Sequence, residues 1–148
     1  MSGKDDLIKL YSQRILALAA DIPHAERLAH PQVSAKKRSP LCGSTVTVDL
    51  VLKDGRIDEF GQEVRACALG QAAASVVGAN VLGRTREEVA RAREQLAAML
   101  KTEGPVPEAP FEGLEVLLPA REYKNRHASI LLALDATLAA FDEALEAA

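Results

Sequence analysis

Two cysteines and one histidine are the side chains best suited to chemistry in this sequence. Cys42 directly precedes an alternating, strand-like run, Cys67 lies where a second such run gives way to an alanine-rich stretch, and His127 opens the last apolar run. All three fall at boundaries between elements, where sites are usually built. Thiolate and imidazole are ligands for zinc and iron–sulfur clusters, and three protein ligands leave one tetrahedral position open for exchange. The set predicts a metal or sulfur site.

Other interpretations of the same residues stay open. A free cysteine often packs as a small apolar side chain, and a histidine at a helix start is more often a capping or surface residue than a ligand. A thiol enzyme with Cys67 as nucleophile and His127 as base is a second chemistry. The sequence has no obvious residue to orient that histidine, no phosphate-binding glycine pattern and no nucleophile elbow. His24 and His30 lie in a polar, proline-flanked stretch, where we expect them to face solvent.

Length, composition and charge narrow the class of protein. A chain of 148 residues is expected to fold as one domain, 1–148, and to bury roughly 70% of its unfolded surface. The sequence is 48% apolar but only 3% aromatic, so the core must be built from Ala, Leu and Val. A net charge of −3 gives no basic footprint for nucleic acid. No apolar run approaches the ~20 residues of a membrane span, and the acidic start predicts no secretory signal. We therefore expect a cytoplasmic protein with reduced cysteines.

A β-hairpin is predicted to bring the two cysteines together. Residues 44–52 alternate apolar and polar side chains, Asp54-Gly55 is a strong tight-turn signal, and residues 57–66 form the return strand. Ile57 is out of phase, which predicts an irregularity near Gly61. The open end of the hairpin would place residues 44 and 66 side by side, and with them Cys42 and Cys67.

The remaining segments complete an α+β fold. Apolar residues recur at helical spacing in 6–20, 67–82, 85–101 and 127–147, and Thr85 with Glu88 forms a capping box at the third of these helices. Residues 33–35 are predicted to form a short strand, and the apolar segment 114–118 to end at Pro119. We predict a small antiparallel sheet of about three strands, with helices packed on one face and an N-terminal helix alongside.

With these elements in place, the sequence resembles the NifU N-terminal/IscU/SufU family of iron–sulfur cluster assembly scaffolds. Residues 40–43, Pro-Leu-Cys-Gly, resemble the family's Pro-x-Cys-Gly-Asp, and residues 66–75 resemble its Gly-Cys-x-x-x-x-Ala-Ser-x-Ser. Residues 83–88 resemble Gly-Lys-Thr-x-Glu-Glu, and residues 127–131, His-Ala-Ser-Ile-Leu, resemble the segment with the third cysteine. The matches run in order across most of the chain.

The chain departs from that family pattern at two ligand positions. Ser44 stands where the family has an aspartate after Cys-Gly. The third cysteine is matched by Ala128, or by Ser129 if the register moves by one residue, and His127 falls on a neighbouring family histidine. A scaffold with three cysteines is therefore not encoded here, and the resemblance implies weaker, more labile cluster binding than in the family.

The resemblance implies a ligand set and a role. The metal ligands are expected to be Cys42, Cys67 and His127, with Ser44 as a weak ligand or a group beside the ligands and Arg126 countering thiolate charge. The cargo would be a transient iron–sulfur cluster or iron, with zinc as a second metal. Sulfur would come from a cysteine desulfurase, and the product would pass to apo iron–sulfur proteins or carrier proteins.

This scaffold is expected to be a non-enzymatic protein, a monomer or a weak homo-oligomer. Two alternatives remain. One is a zinc-binding regulatory or interaction module of the sulfur-mobilisation system. The other is a sulfurtransferase partner that accepts persulfide on a cysteine.

Overall fold

A three-stranded antiparallel sheet and four α-helices make up the part of the chain that the structure, a computed structural model, describes: residues 11–41 and 43–147. In chain order the elements are α1 (Gln13–Ala20), β1 (Val33–Arg38), β2 (Thr45–Lys53), β3 (Arg56–Arg65), α2 (Ala68–Asn80), α3 (Arg86–Lys101), the 3₁₀ helices Glu112–Glu122 and Lys124–Arg126, and α4 (His127–Ala147). The α+β prediction and the strand number are confirmed. No helix in these ranges is long and apolar enough to cross a bilayer.

The predicted hairpin is present and forms the middle and one edge of the sheet, whose strand order is β1-β2-β3. Asp54 and Gly55 both have positive φ, 54° and 76°, which is the backbone of a two-residue hairpin turn that matches strand twist. Thr45 pairs with Arg65 at the open end. The start of β2 and the end of β3 therefore lie side by side, as the sequence predicts.

The irregularity of this hairpin lies at Asp58 rather than near Gly61. Consecutive β2 residues pair with Glu59 and Ile57, which leaves Asp58 as an extra residue of β3. A bulge of this kind shifts the side-chain alternation by one, so Ile57 and Phe60 are both buried. Ile57 is thus out of phase as predicted, but the predicted location near Gly61 is wrong because that glycine pairs in register.

The first helix is shorter than predicted within the described residues. Ser12 is its N-cap, and the Ser12 hydroxyl accepts a hydrogen bond from the backbone N–H of Ile15 at 3.3 Å. Tyr11 is in a turn, so the prediction of one uninterrupted helix over 6–20 is wrong at this point. Residues 6–10 of that prediction lie outside the described residues.

Two other predicted boundaries move outward. The first strand continues to Arg38, because residues 33–38 pair one by one with β2. The apolar segment that was predicted to end at Pro119 lies inside the 3₁₀ helix Glu112–Glu122. Pro119 lies in the interior of that helix, so the prediction that the segment ends there is wrong. The capping box at Thr85 and Glu88 is confirmed.

The core lies between one face of the sheet and the helices. α4 contacts β1, β2, α2 and α3, and buries Ile130, Leu134 and Phe141 among them. α2 is almost entirely buried and built from small residues, which allows its backbone to approach its neighbours closely. The predicted packing of helices on one face is confirmed, and it brings the first turns of α2 and α4 together at the open end of the hairpin.

The opposite face of the sheet is partly covered by the segment before β1. Asp49 of β2 is fully buried there and accepts hydrogen bonds from Arg27 Nε at 2.7 Å, Arg27 Nη2 at 3.0 Å and the Leu28 N–H at 2.9 Å. The Ser34 hydroxyl donates a further bond. Gly61 of β3 allows the segment before β1 to pass close over the sheet, since a Cβ at Gly61 would collide with the Glu26 carbonyl oxygen.

Candidate metal site

Cys67 is the described residue that is best placed to bind a metal or sulfur. It is the N-cap of α2, its backbone is extended (φ −68°, ψ 169°), and its side chain makes no capping hydrogen bond. The helix is held instead by its backbone, since Gln71 N–H donates to the Cys67 carbonyl at 2.9 Å. The thiol is partly exposed. The first turn of a helix presents unpaired backbone N–H groups and the positive end of the helix dipole, a general setting that suits an anionic metal or sulfur ligand.

Two buried hydroxyls stand beside this thiol. Ser129, in the first turn of α4, is 1% exposed, and its Oγ lies 3.6 Å from Cys67 Sγ. The Ser129 hydroxyl donates to Ser44 Oγ at 3.1 Å, and Ser44 is 5% exposed just before β2 begins. The structure therefore joins Cys67, Ser129 and Ser44, from three different elements, in one contiguous polar cluster.

Gly70 makes this contact geometrically feasible. A Cβ at Gly70 would lie 2.7 Å from Ser129 Oγ and 3.1 Å from the Ser129 carbonyl oxygen. The first distance is shorter than real Cβ atoms show, and the second, to a backbone atom, is unusually tight, so a side chain at residue 70 would force the first turn of α4 to shift. Gly70 was not among the predicted site residues. Its position one helical turn after a cysteine was the signal that could have shown it.

His127 is buried, at 4% exposure, and its Nε2 lies 3.0 Å from the Ala120 carbonyl oxygen. A carbonyl only accepts, so Nε2 carries a proton, and in the neutral form of the ring Nδ1 is the nitrogen with the lone pair. A backbone carbonyl that fixes the tautomer in this way is a common support for metal-binding histidines. His127 and Ser129 are two positions apart, about 200° around the helix, so they leave α4 in different directions.

Cys42 lies outside the described residues, but the chain on either side of it is held. Ser39 N–H donates to the Ser44 carbonyl at 2.8 Å, and Gly43 N–H donates to the Ser39 carbonyl at 2.9 Å. Gly43 has a positive φ of 70°, which favours glycine at this turn. The expectation that Cys42 lies close to Cys67 stays a prediction.

The described residues by themselves supply no complete ligand set. Among residues 11–41 and 43–147, no group of three or more His, Cys, Asp and Glu side chains could hold a metal ion. A site at Cys67 would need Cys42, the neighbouring hydroxyls or His127 to complete it. The ligand assignments to Cys42, Cys67 and His127 therefore remain predictions, and the donors present are chemically suited to zinc or an iron–sulfur cluster.

Two arginines, Arg126 and Arg38, lie in segments next to the predicted ligands. Arg126 ends the short 3₁₀ helix Lys124–Arg126, where its backbone N–H donates to the Tyr123 carbonyl at 2.9 Å. Its predicted role toward the thiolates stays a prediction. Arg38 was not among the predicted site residues, and its Nη2 lies 4.0 Å from where a Cβ on Gly43 would be. The basic run at the end of β1 was the available signal.

A cleft of about 450 Å³ lies between the end of β1 and α4. Its lining includes Arg38, Pro40, Ala128 and Leu132. Ala128 is the residue that the sequence resemblance matches to the third family cysteine. A methyl group stands at that position, while the next residue, Ser129, contacts the Cys67 sulfur.

Comparison with known structures agrees with this architecture. A nitrogen-fixing NifU-like protein (N-terminal) from Brucella abortus is 43% identical, with a TM-score of 0.93, over 97% of this chain and 99% of that one. A putative iron–sulfur cluster assembly scaffold protein for the SUF system from Fervidobacterium islandicum shares the fold, with a TM-score of 0.80 at 18% identity, over 90% of this chain and 98% of that one. No protein-family model and no curated protein matches the chain.

The fold and the site define an α+β domain. Its partly exposed cysteine lies at the start of a helix, beside the open end of a β-hairpin. The chain belongs to the NifU-like family, which the sequence resemblance places with IscU and SufU.

Proposed function

We propose that this protein is an iron–sulfur cluster assembly scaffold that holds its cargo transiently at Cys67, with Cys42 and His127 as further ligands. The observation that carries the proposal is the setting of Cys67. Its thiol is partly exposed at the start of α2 and touches a polar side chain of α4. Membership of the NifU-like family supports the same role, as does the fold shared with a putative scaffold of the SUF system.

The donor set supports labile rather than permanent binding. Ser44 stands where the family pattern has an aspartate, and Ala128, or Ser129 in the shifted register, stands where it has the third cysteine, so two negatively charged ligands are absent from those positions. Fewer anionic ligands bind a cationic cluster less tightly, since carboxylate and thiolate charge is a main source of affinity for such cargo. The imidazole of His127 would bind through Nδ1, because Nε2 is committed to Ala120.

The proposal also assigns partners by class. A cysteine desulfurase would supply sulfur to the scaffold, and apo iron–sulfur proteins or carriers would receive the product. A partly exposed thiol is required for both exchanges, because a sulfur atom must be reached from outside the chain.

Anaerobic reconstitution of the purified protein with ferrous iron and sulfide tests the proposal. Wild type should take up iron and sulfide together and gain visible charge-transfer absorption. The Cys42→Ala, Cys67→Ala and double variants should lose this uptake, while His30→Ala, at an exposed histidine, serves as a matched control and should retain it. Equal uptake by wild type and the double cysteine variant would overturn the scaffold function.

A zinc-binding regulatory module is the second candidate. The observation that favours it is the carbonyl-held ring of His127, an arrangement common at zinc sites. Metal analysis of protein purified without added metal separates the two candidates. Stoichiometric zinc that resists replacement by iron supports the module, and zinc that iron and sulfide displace supports the scaffold.

A further inference from the structure

We infer that the outer edge of β1 is a docking site for an extended, acidic segment of a partner protein, which adds to the three-stranded sheet as a further strand. This surface is separate from the predicted metal ligands and needs no bound cargo, so metal-free protein is sufficient to test it. Three features of the edge support the inference: its backbone groups, its basic side chains and the cleft beside it.

The backbone of β1 presents hydrogen-bonding groups that have no strand partner. β1 is an outer strand of the sheet. Just after it, the Ser39 N–H donates to the Ser44 carbonyl in the register of the β1–β2 ladder. Because successive residues of a strand direct their N–H and C=O groups to opposite sides, those of Ser34, Lys36 and Arg38 point away from β2. No strand in the described part of the chain pairs with them.

Three consecutive basic side chains lie on the same edge. Lys36, Lys37 and Arg38 are exposed, and none of them forms an ion pair with another described residue. Carboxylates on an added strand would be attracted to these cations. A second copy of this chain fits the edge poorly, because two β1 strands paired with each other would place lysines and arginines side by side.

The cleft of about 450 Å³ beside the end of β1 offers an added strand an apolar surface to cover. Its α4 wall includes Ala128, Leu132 and Ala139, which lie at helical spacing on one face, and Leu138. Alternate side chains of an added strand would face this cleft, as Lys37 of β1 does. Apolar residues at those alternate positions would therefore be buried on binding.

Charges on the α4 side of this cleft are already compensated. Asp135 pairs with Arg93 at 2.8 Å, and Asp142 pairs with Arg86 at 2.7 Å. These two acids therefore offer little attraction to a basic segment, whereas Lys37 on the β1 side has no such pair. The charge of the cleft and that of the edge thus select the same partner chemistry, an acidic strand with apolar residues at alternate positions.

The cleft also extends toward the candidate metal site. Its lining includes Pro40 and Ala128. Ala128 precedes Ser129, whose Oγ lies 3.6 Å from Cys67 Sγ. A segment docked on this edge would therefore hold the rest of its protein beside that thiol.

Fluorescence anisotropy with a labelled peptide, Glu-Val-Glu-Leu-Glu-Val, tests the inference on metal-free, reduced protein. The peptide matches the length of β1, which has 6 residues. It should bind, lose affinity as added salt screens the charges, and shift the backbone amide NMR signals of β1. Its fully N-methylated form keeps every carboxylate but cannot donate backbone hydrogen bonds, so it should bind about tenfold more weakly.

Protein variants separate the contributions of backbone and charge. Lys36→Pro removes one outward N–H and no bond of the β1–β2 ladder, so it should fold and yet bind the peptide about tenfold more weakly than Lys36→Ala. Lys36→Glu/Lys37→Glu should also weaken binding by about tenfold, through charge repulsion. The matched control is Lys53→Glu/Lys101→Glu, which makes the same change in net charge at two exposed lysines elsewhere and should bind nearly as wild type does.

Three results overturn the inference: no binding of the acidic peptide, equal binding of its N-methylated form, or equal weakening in the Lys53→Glu/Lys101→Glu control. Equal binding of the N-methylated form would mean general attraction of polyanions without strand addition. A dimer in sedimentation that Lys36→Pro abolishes would assign the edge to a second copy of the chain and likewise overturn the inference. If Lys36→Pro does not fold, as judged by circular dichroism, the N-methylated peptide decides the question.

Discussion

Gly70 and Ser129 are in contact so close that a Cβ on Gly70 would lie 2.7 Å from Ser129 Oγ and 3.1 Å from the Ser129 carbonyl oxygen. The carbonyl belongs to the first turn of α4 and cannot rotate away as a side chain can. The same Cβ would also lie 2.9 Å from Ala66 Cβ. The separation of α2 and α4, and with it the distance between Cys67 and Ser129, is therefore set by the absence of a side chain at residue 70.

Gly70→Ala should destabilise the protein and weaken its metal binding. Alanine normally stabilises a helix by about 1 kcal/mol relative to glycine. Overpacking typically costs about 1–3 kcal/mol, so we expect a net loss of roughly 1 kcal/mol in the free energy of unfolding. Urea unfolding measures that loss, and Co²⁺ titration of the metal-free, reduced protein measures the metal affinity.

Gly78→Ala is the matched control, since it lies in the same helix and its Cβ would meet Gln62 Nε2 at 2.7 Å and the Pro23 carbonyl oxygen at 2.8 Å. It should lose comparable stability but keep wild-type Co²⁺ affinity. Equal losses of affinity in both variants would mean that general destabilisation, and not the contact between Gly70 and Ser129, controls the site.

Ser44→Ala and Ser129→Ala should have non-additive effects on stability. The Ser129 hydroxyl donates to Ser44 Oγ at 3.1 Å, and both side chains are buried. Partners in one hydrogen bond are coupled, so the double variant should lose less free energy of unfolding than the sum of the two single losses, each about 1 kcal/mol. Urea unfolding of the three variants measures the coupling, and strictly additive losses would contradict it.

The amino-acid sequence was informative wherever one local rule decided the structure. Asp54 and Gly55 fix a tight turn because both adopt positive φ, and the alternation on either side then sets the pairing. Thr85 and Glu88 cap a helix through bonds within one turn, which no distant residue has to complete. The family motifs, which occur in the same order along the chain, predicted the α+β fold class.

Features that depend on two distant segments could not be predicted in this way. The bulge at Asp58 arises because β3 must bury Ile57 and Phe60 together, and the sequence shows only that their phase conflicts. Ser129 could not be assigned a direction, because one residue of register on a helix changes which side chain faces Cys67. The burial of Asp49 depends on a segment more than 20 positions earlier in the chain.

Asp49→Asn should lower the free energy of unfolding by about 2 kcal/mol at neutral pH, the scale for hydrogen bonds to a buried charged group. The carboxylate is fully buried and accepts bonds from Arg27, Ser34 and the Leu28 N–H. An asparagine would place its NH₂ group, which is a hydrogen-bond donor, against some of these donors, so those hydrogen bonds would be lost. Urea unfolding provides the measurement, and Asp58→Asn, an exposed acid on β3, should change stability little.

The stability difference between wild type and Asp49→Asn should depend on pH in one direction. Burial alone raises the pKa of Asp49, but hydrogen bonds from Arg27, Ser34 and the Leu28 N–H, with the charge of Arg27, outweigh it and hold the pKa below its usual value. A carboxyl whose pKa is lower in the folded state stabilises the protein above its unfolded pKa and loses that contribution as pH falls through the folded pKa. The difference should stay constant from neutral pH downward and shrink below about pH 4. A difference that grows on acidification would contradict this sign.

His127→Gln separates a structural role of this histidine from a metal-binding one. The amide nitrogen of glutamine can reach the place of Nε2 and donate to the Ala120 carbonyl, so the variant should keep most of the wild-type stability. It has no counterpart of the Nδ1 lone pair. If His127 is a ligand, His127→Gln should unfold like wild type yet bind Co²⁺ about tenfold more weakly, whereas His127→Ala should lose both stability and affinity. Wild-type affinity in a stably folded His127→Gln would remove the histidine from the ligand set.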